Sequence, residues 1–554
     1  MEKSKKNKTI IIGIVYTVVL FAVVSLVFPS IYVLDDDAMI QSILSGTYFS
    51  PYPYTYYFSA ELGIILSLFY RIIPSVPWLG LFFVLIYAVS FFLILIKVMR
   101  SVDSTGKKWF YAACVTLVFL GLFFSNFIML HYTVVSATLV FCGLFMMITS
   151  KEKRDMIVAM VMFLISYLIR ENVFFMSIPF IAVAFLYLLI TGKKDFVKKY
   201  GKCICIFSLI FIILFVINRC VPADEKWEEY KDYNELRTSV YDYTGIDTNG
   251  MKAIDYYESH GLAGEIVLIY KSYNVIFPMI LDNNQSADYM STSKTILEGL
   301  DGYSEYKNQG YTTFHKIRDA IYTYVFYMLR YETMRFYHYF LIAVYVAFTI
   351  AVLACKKPAH LIALPVAFGV RSFLWIALAY MGRYPDRVLV SSLLMEAAFI
   401  LALMIRIIEK NIIKPVFSGI ILAGFLIAAV FSVKSSVTSY SEESNRIFAD
   451  NRAFEYIKEN KDNFYLLDVY SVVNHSVYAI KDYDPSYENY MMLGGWITGH
   501  PLMIEKMESI PEEPYVIVKN DFSDNVFLLE NGTGVSLIPV DEIDDMYTVY
   551  KIKE

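Results

Sequence analysis

Apolar residues in this chain come in long runs rather than in alternating or amphipathic patterns. The first covers Thr9 to Val33; others lie near 78–99, 109–129, 132–149, 155–170, 174–191, 202–219, 337–355, 360–381, 388–408 and 415–433. Each has close to the ~20 residues a helix needs to cross a bilayer core. About eleven transmembrane helices are therefore expected. Two stretches break the pattern. Residues 221–335 are mixed in polarity, with helical spacing around Gly264–Ile280 and Thr312–Tyr331. Residues 434–554 hold short apolar runs at Phe464–Leu467, Tyr515–Val518, Val526–Leu529 and Tyr547–Ile552, after a helix that Ser444 can cap and that runs to about Glu459. This second stretch reads as a small α/β domain.

Charge orients the spans. Basic clusters sit at Arg100/Lys107/Lys108, Lys151/Lys153/Arg154, Lys193/Lys194/Lys198/Lys199, Lys356/Lys357 and Arg406/Lys410/Lys414, whereas Leu34 to Ala60 contains no Lys or Arg. The bias of basic residues to the cytoplasmic side places the N-terminus inside and the 34–77 loop outside. Residues 61–76, with Arg71 and Pro74, are short for a crossing and would invert every later basic loop if they spanned. They are expected to lie as an interfacial helix on the outer leaflet. An odd span count then puts the C-terminal domain, 434–554, outside as well, after a membrane domain of residues 1–433. Residues 221–335 become a large outer loop. The first run follows Lys3-Ser4-Lys5-Lys6 but lacks a small-x-small cleavage site, so it reads as a retained anchor.

Composition agrees with a membrane protein: the chain is 57% hydrophobic with a mean hydropathy of +0.49. A net charge of only -5 gives no case for nucleic acid as a partner. Five of the six cysteines lie in or beside spans, Cys220 sits at an outer span end, and the C-terminal domain has none, so no disulfide framework is expected there.

Unusual polar residues converge on the outer side. Asp35, Asp36 and Asp37 follow the first span with no local cation, and three adjacent carboxylates are expected to shift a pKa or to bind a cation. His131 falls at an outer turn, Arg170 and Glu171 at an outer span end. Arg383, Asp386 and Arg387 share the short outer turn Gly382–Arg387, where basic residues are scarce. Arginine's planar fork suits phosphate. Local alternatives are an Arg383 or Arg387 pair with Asp386, and an Arg170 pair with Glu171. Glu61 either joins the acidic site or caps the interfacial helix. Arg371 and Glu396 lie near mid-span in consecutive helices and are expected to pair, since a lone charge there is expensive. Trp496, after Gly494-Gly495, reads either as a sugar-stacking ring or as a core residue.

The stretch Leu34-Asp35-Asp36-Asp37, followed by the Pro-containing interfacial segment up to Trp78, resembles the GT-C superfamily of membrane glycosyltransferases, and so does the architecture of the whole chain. The resemblance implies sugar transfer from a polyprenyl-phosphate donor to an extracytoplasmic glycan, lipid or protein acceptor. An acid of the first outer loop would serve as base or hold a divalent cation, magnesium or manganese. Asp36 and Asp37, with Asp35, are then the expected catalytic group. Arg170, Arg383 and Arg387 would take the donor phosphate, and Glu61, His131, Glu171, Asp386 and Trp496 would support the acceptor side. The implied setting is a bacterial plasma membrane with the site facing outward. A polysaccharide polymerase, flippase or transporter of lipid-linked glycans is the alternative class.

Overall fold

A computed structural model describes residues 2–553, apart from 34, 103, 221–223, 249, 263, 274–288, 308–311, 330–333, 410–413, 469–470, 472–476, 486–488, 512 and 534. The chain is a polytopic α-helical membrane protein with small sheets. Among the described residues eight helices are long and apolar enough to cross a membrane, and Tyr132–Ile148 is a shorter apolar one.

The helices run in order: α1 Glu2–Val27, α2 Asp35–Ser45, α3 Ala60–Ile72, α4 Trp78–Met99, α5 Thr105–Leu122, α6 Phe124–Ile128, α7 Tyr132–Ile148, α8 Lys153–Ile169 and α9 Glu171–Cys220. Residues 221–335 hold α10 Glu225–Thr238, a π-helical turn Ser239–Thr244, α11 Met251–Ser259, α12 Gly264–Tyr273, α13 Tyr289–Lys307 and α14 Thr313–Leu329. Then come α15 Arg335–Ala354, α16 Ala363–Tyr380, α17 Asp386–Ile408 and α18 Pro415–Glu459, with α19 Pro501–Met507 and α20 Asp524–Thr533 in the C-terminal domain.

The eleven apolar runs fall largely on helices, but those at 109–129 and 155–170 lie on α5, α6 and α8, which are not among the candidate spans. The element α9 folds back on itself: Glu171 and Arg219, at its two ends, pair at 3.1 Å, and Phe174 stacks on Phe211. It therefore supplies two antiparallel candidate spans, Glu171–Thr191 and Phe196–Arg219. The first run ends earlier than its hydropathy suggests. Pro29 lacks a donor for helix continuation, and Ile31–Tyr32 turns to strand instead. The interfacial segment is α3, which stops at Ile72 before Pro74 and exposes Ile64, Ile65, Leu68 and Phe69 while burying Leu62, Leu66 and Tyr70. Such a two-sided apolar helix fits a position against both the bundle and lipid. At one bundle end Lys97 pairs with Asp155 at 2.6 Å and Lys151 with Glu409 at 2.9 Å, which gathers the basic connections there.

Inside the bundle small residues permit close approach. A Cβ on Gly121 would stand 2.0 Å from the Phe340 ring.

Two sheets organise the opposite end. In the smaller, β1 Ile31–Tyr32 pairs parallel with β2 Met129–Leu130 and antiparallel with β4 Val477–Tyr478. This sheet ties the end of the first helix to the segment before α7 and to the C-terminal domain. Gly80 admits the same docking, since a Cβ there would meet the Ala479 carbonyl oxygen at 2.2 Å. The larger sheet has the order β5-β3-β6-β8-β7, from β3 Tyr465–Asp468, β5 Tyr490–Leu493, β6 Tyr515–Lys519, β7 Ser536–Ile543 and β8 Tyr547–Lys553. β3 runs parallel to β5 and β6, and β8 antiparallel to β6 and β7.

Three readings of this domain change. Ser444 caps nothing: α18 continues unbroken from its span to Glu459, and the Ser444 hydroxyl meets Tyr478 at 3.3 Å. Val526–Leu529 is helix, within α20, because only Leu529 of that stretch is buried. β5 and β7 went unread. β5 stands at one sheet edge yet is buried on both faces, and β7 is mostly exposed at the other edge, so neither shows simple alternation.

Candidate functional site

The Asp triplet opens α2, where successive positions stand about 100° apart around the helix, and Asp36 and Asp37 point to different neighbours. The side chain of Asp35 lies outside the described residues. Asp36 is 8% exposed and Asp37 fully buried.

Asp37 points to the start of α7. Its Oδ1 accepts the Tyr132 amide N–H at 2.9 Å, joining the two segments that β1 and β2 already hold together. His131 caps α7: its Nδ1 accepts from the Thr133 amide at 3.0 Å, so the neutral ring carries its proton on Nε2. That nitrogen is 4.0 Å from Asp37 Oδ2, too far for a hydrogen bond. Burial, and then Arg387 and Arg170 nearby, push the His131 imidazole well below its usual range and keep it neutral.

Asp36 points to the C-terminal domain. The Trp496 indole N–H donates to its Oδ1 at 2.9 Å, the Tyr57 hydroxyl reaches the same oxygen at 3.4 Å, and Arg387 Nη2 lies 3.7 Å from Oδ2. Trp496 is therefore a buried donor on the carboxylate. Its ring meets Tyr57 edge-on at 5.3 Å instead of offering a free face for stacking. Gly494 and Gly495 make this placement possible, with φ of 106° and 73° in the left-handed region.

Arg170 ends α8 with its guanidinium 5.0 Å from the Tyr57 ring centroid and 5.6 Å from that of Tyr132, and these two rings stack on each other. Among the described residues no carboxylate pairs with it, whereas Glu171 is taken by Arg219. Arg383 pairs with Asp242 at 2.9 Å and faces the Tyr243 ring at 5.5 Å, so the π-helical turn Ser239–Thr244 covers the Gly382–Arg387 turn. Neither arginine uses Asp386 in these pairs. Asp386 stands in the first turn of α17. Glu61 is not brought to Asp36. It lies in the first turn of α3 near Tyr167, and both its carboxylate oxygens are buried with no hydrogen-bond partner among the described residues.

Several contributors carried no usable sequence signal. Arg237 of α10 is 6% exposed, donates to Asn234 Oδ1 at 2.6 Å, and acts with Arg170 on the charge of Tyr57. Burial pushes the Tyr57 phenol well up, and Asp36 adds to that push. The period-two tyrosines Tyr52, Tyr54 and Tyr56 were the one pattern that could have pointed to Tyr57. His500 is buried, accepts from the Leu502 amide through Nδ1 at 3.2 Å, and places Nε2 3.2 Å from the Tyr54 carbonyl oxygen.

The arrangement joins a carboxylate, an indole donor and several arginines where the spans, the helices of residues 221–335 and the C-terminal domain meet. Such a set can accept a proton from a hydroxyl and hold an anion beside it. Among the described residues no three His, Cys, Asp or Glu side chains converge as a metal-ligand set. The mid-span pair forms as expected: Arg371 Nε and Glu396 Oε2 are 2.6 Å apart, 3% and 0% exposed.

No protein-family model matches the chain, and no curated protein does. Among solved structures it is similar to ArnT from Cupriavidus metallidurans, in the apo state and bound to undecaprenyl phosphate. Both likenesses cover 96% of this chain and 97% of that one at 13% sequence identity, with TM-scores of 0.36 and 0.37. A likeness at that level decides nothing about function, and the chemistry of the site rests on its own geometry.

Proposed function

We propose that this chain is a membrane glycosyltransferase that moves a sugar from a polyprenyl-phosphate donor to an extracytoplasmic glycan, lipid or protein acceptor. The observation that carries this reading is the convergence of Trp496 and Arg387 on Asp36. It brings a carboxylate from the first outer loop, an arginine from the Gly382–Arg387 turn and the C-terminal domain to one point.

In this reading Asp36 takes the proton of the acceptor hydroxyl as its oxygen attacks the anomeric carbon. The bond from that carbon to the phosphate oxygen breaks, and the phosphate leaves with the electron pair. Arg170 and Arg387 neutralise the departing charge, with Arg383 behind them. Inversion at the anomeric carbon follows from a single displacement. Asp37 positions α2 against α7 instead of reacting, because its Oδ1 is committed to the Tyr132 amide. No step above is routed through a divalent cation. The site would face outward from a bacterial plasma membrane.

A transporter or polymerase would put work on the mid-span charges. Here Arg371 and Glu396 close on each other, and the Tyr345 hydroxyl donates to Glu396. This favours a structural pair. The deciding assay incubates purified protein with a panel of polyprenyl-phosphate sugars and reads products by mass spectrometry. Turnover with one donor, abolished in Asp36→Asn, supports transfer, and no turnover across the panel counts against it.

A further inference from the structure

A second cavity lies away from Asp36, between the C-terminal end of α14, the first half of α15 and the middle of α16. It encloses about 360 Å³, within the size range of ligand pockets. Its polar lining is Arg335, His338, Tyr345 and Arg371, and its apolar lining includes Leu329 and Ile342.

Two of those polar groups have donors or acceptors without a good protein partner. His338 Nδ1 donates to the Met334 carbonyl at 3.0 Å, so in the neutral ring Nε2 is an acceptor that calls for a donor. Nε2 is buried with no hydrogen-bond partner among the described residues. Arg371 pairs with Glu396 on one side, but its Nη1 reaches only the Met328 thioether, at 3.0 Å. Sulfur is a weak acceptor, and a guanidinium in an apolar bundle gains far more from an anionic oxygen. Polar groups at membrane depth are normally satisfied by protein or ligand, because hydrocarbon offers nothing.

The rim is the opposite of a soluble-ligand entrance. Leu329 is 76% and Ile342 58% exposed, and Ile342 lies on α15, a candidate membrane span. Along α14 the exposed apolar residues Phe314, Ile317, Ile321, Val325 and Leu329 form one continuous stripe leading to the cavity. A free anion has no use for such a rim, whereas acyl chains do.

We infer that this cavity seats a membrane lipid with a phosphate-bearing anionic headgroup, its phosphate between Arg335 and Arg371, a headgroup hydroxyl donating to His338 Nε2, and its chains along Ile342 and the α14 stripe. The site is independent of the transferase reading. Arg335 supplies charge at the outer lip and Arg371 deeper in. The Glu396 partner keeps Arg371 in place whether or not lipid is bound.

The test is native mass spectrometry of the full chain in detergent, supplied with phosphatidylglycerol, phosphatidylcholine or inorganic phosphate. Wild type should retain phosphatidylglycerol over phosphatidylcholine. Arg335→Gln should weaken retention about tenfold, the scale of one charge-assisted contact, and His338→Leu by a smaller factor, the scale of one neutral hydrogen bond. Lys316→Gln, an exposed cation on α14 away from the cavity, should leave it unchanged and so reports any non-specific attraction. Arg335 is exposed, so its substitution leaves the fold intact and keeps the comparison readable. Equal retention of both lipids, equal loss in Lys316→Gln, or complete displacement of lipid by inorganic phosphate would each overturn the assignment.

Discussion

Trp496 donates its indole N–H to Asp36 across 460 residues of sequence, at 2.9 Å and with both side chains buried. The C-terminal domain thus reaches the first outer loop through a charge-assisted hydrogen bond, worth roughly 1.5–3 kcal/mol. Trp496→Phe keeps the ring against Tyr57 and removes only the donor. Sugar transfer should fall about 10- to 100-fold on that basis, with yield unchanged. Full activity in the purified variant would show that the bond only docks the domain.

Asp36 and Asp37 should separate in their effects. Asp36→Asn removes the proposed base, and transfer should fall by about 10²- to 10⁴-fold. Asp37→Asn retains a carbonyl oxygen for the Tyr132 amide, so its activity should stay within about tenfold of wild type by the same reckoning of one hydrogen bond. Asp37→Ala should instead lower yield and melting temperature. Mass-spectrometric turnover beside thermal unfolding separates the two roles, and the reverse order of effects would reassign the base to Asp37.

Arg371→Ala should damage folding more than Arg371→Ala combined with Glu396→Ala. Removing one partner strands a buried charge, at about 3–5 kcal/mol in a soluble interior. Yield and thermal stability of the three detergent-purified proteins give the comparison. Equal damage in single and double variants would mean the pair contributes nothing as a pair.

Acid should loosen the C-terminal domain. Burial lowers the His500 pKa to about 4 from 6.5, so between those values the unfolded chain binds a proton that the folded one refuses. Stability therefore rises with pH across that window and is lost on acidification, by up to about 3 kcal/mol at its lower end. Buried, neutral His131 adds in the same direction. Melting curves from pH 7 to 5 should show the decline, and His500→Gln should flatten it. An unchanged slope would place the pH sensitivity elsewhere.

Orientation has its own check. A reporter active only outside the cytoplasm should work when fused after Glu554 and stay silent at Lys193. A silent C-terminal fusion would move Asp36 and its arginines to the inner face.

Much of the architecture was legible because hydrocarbon imposes a length. A run of about 20 apolar residues has few alternatives to a helix, and the eleven runs fall largely on helices. The Arg371–Glu396 pair was readable for a related reason, since depth along a helix follows from counting. The candidate site was less legible. Asp36, Asp37, Arg170, His131 and Arg387 could be marked from sequence, but the helical start that turns Asp36 from Asp37 could not. Arg237 sits in a helix rich in Glu and Lys, where one more arginine carries no signal. The bond from Trp496 depends on two glycines whose conformation only the folded chain reveals. The sequence leaves Glu61 between the acidic site and a helix cap, and its burial near Tyr167, with Ser59 as the cap, was not readable.

The three-stranded clasp of Ile31–Tyr32, Met129–Leu130 and Val477–Tyr478 has a consequence for biogenesis. The ribosome makes the first of these strands hundreds of residues before the last. Throughout that interval Asp36 is without its Trp496 donor. The cluster around Asp36 is therefore completed last, and a nascent or truncated chain that stops short of Val477 leaves it open.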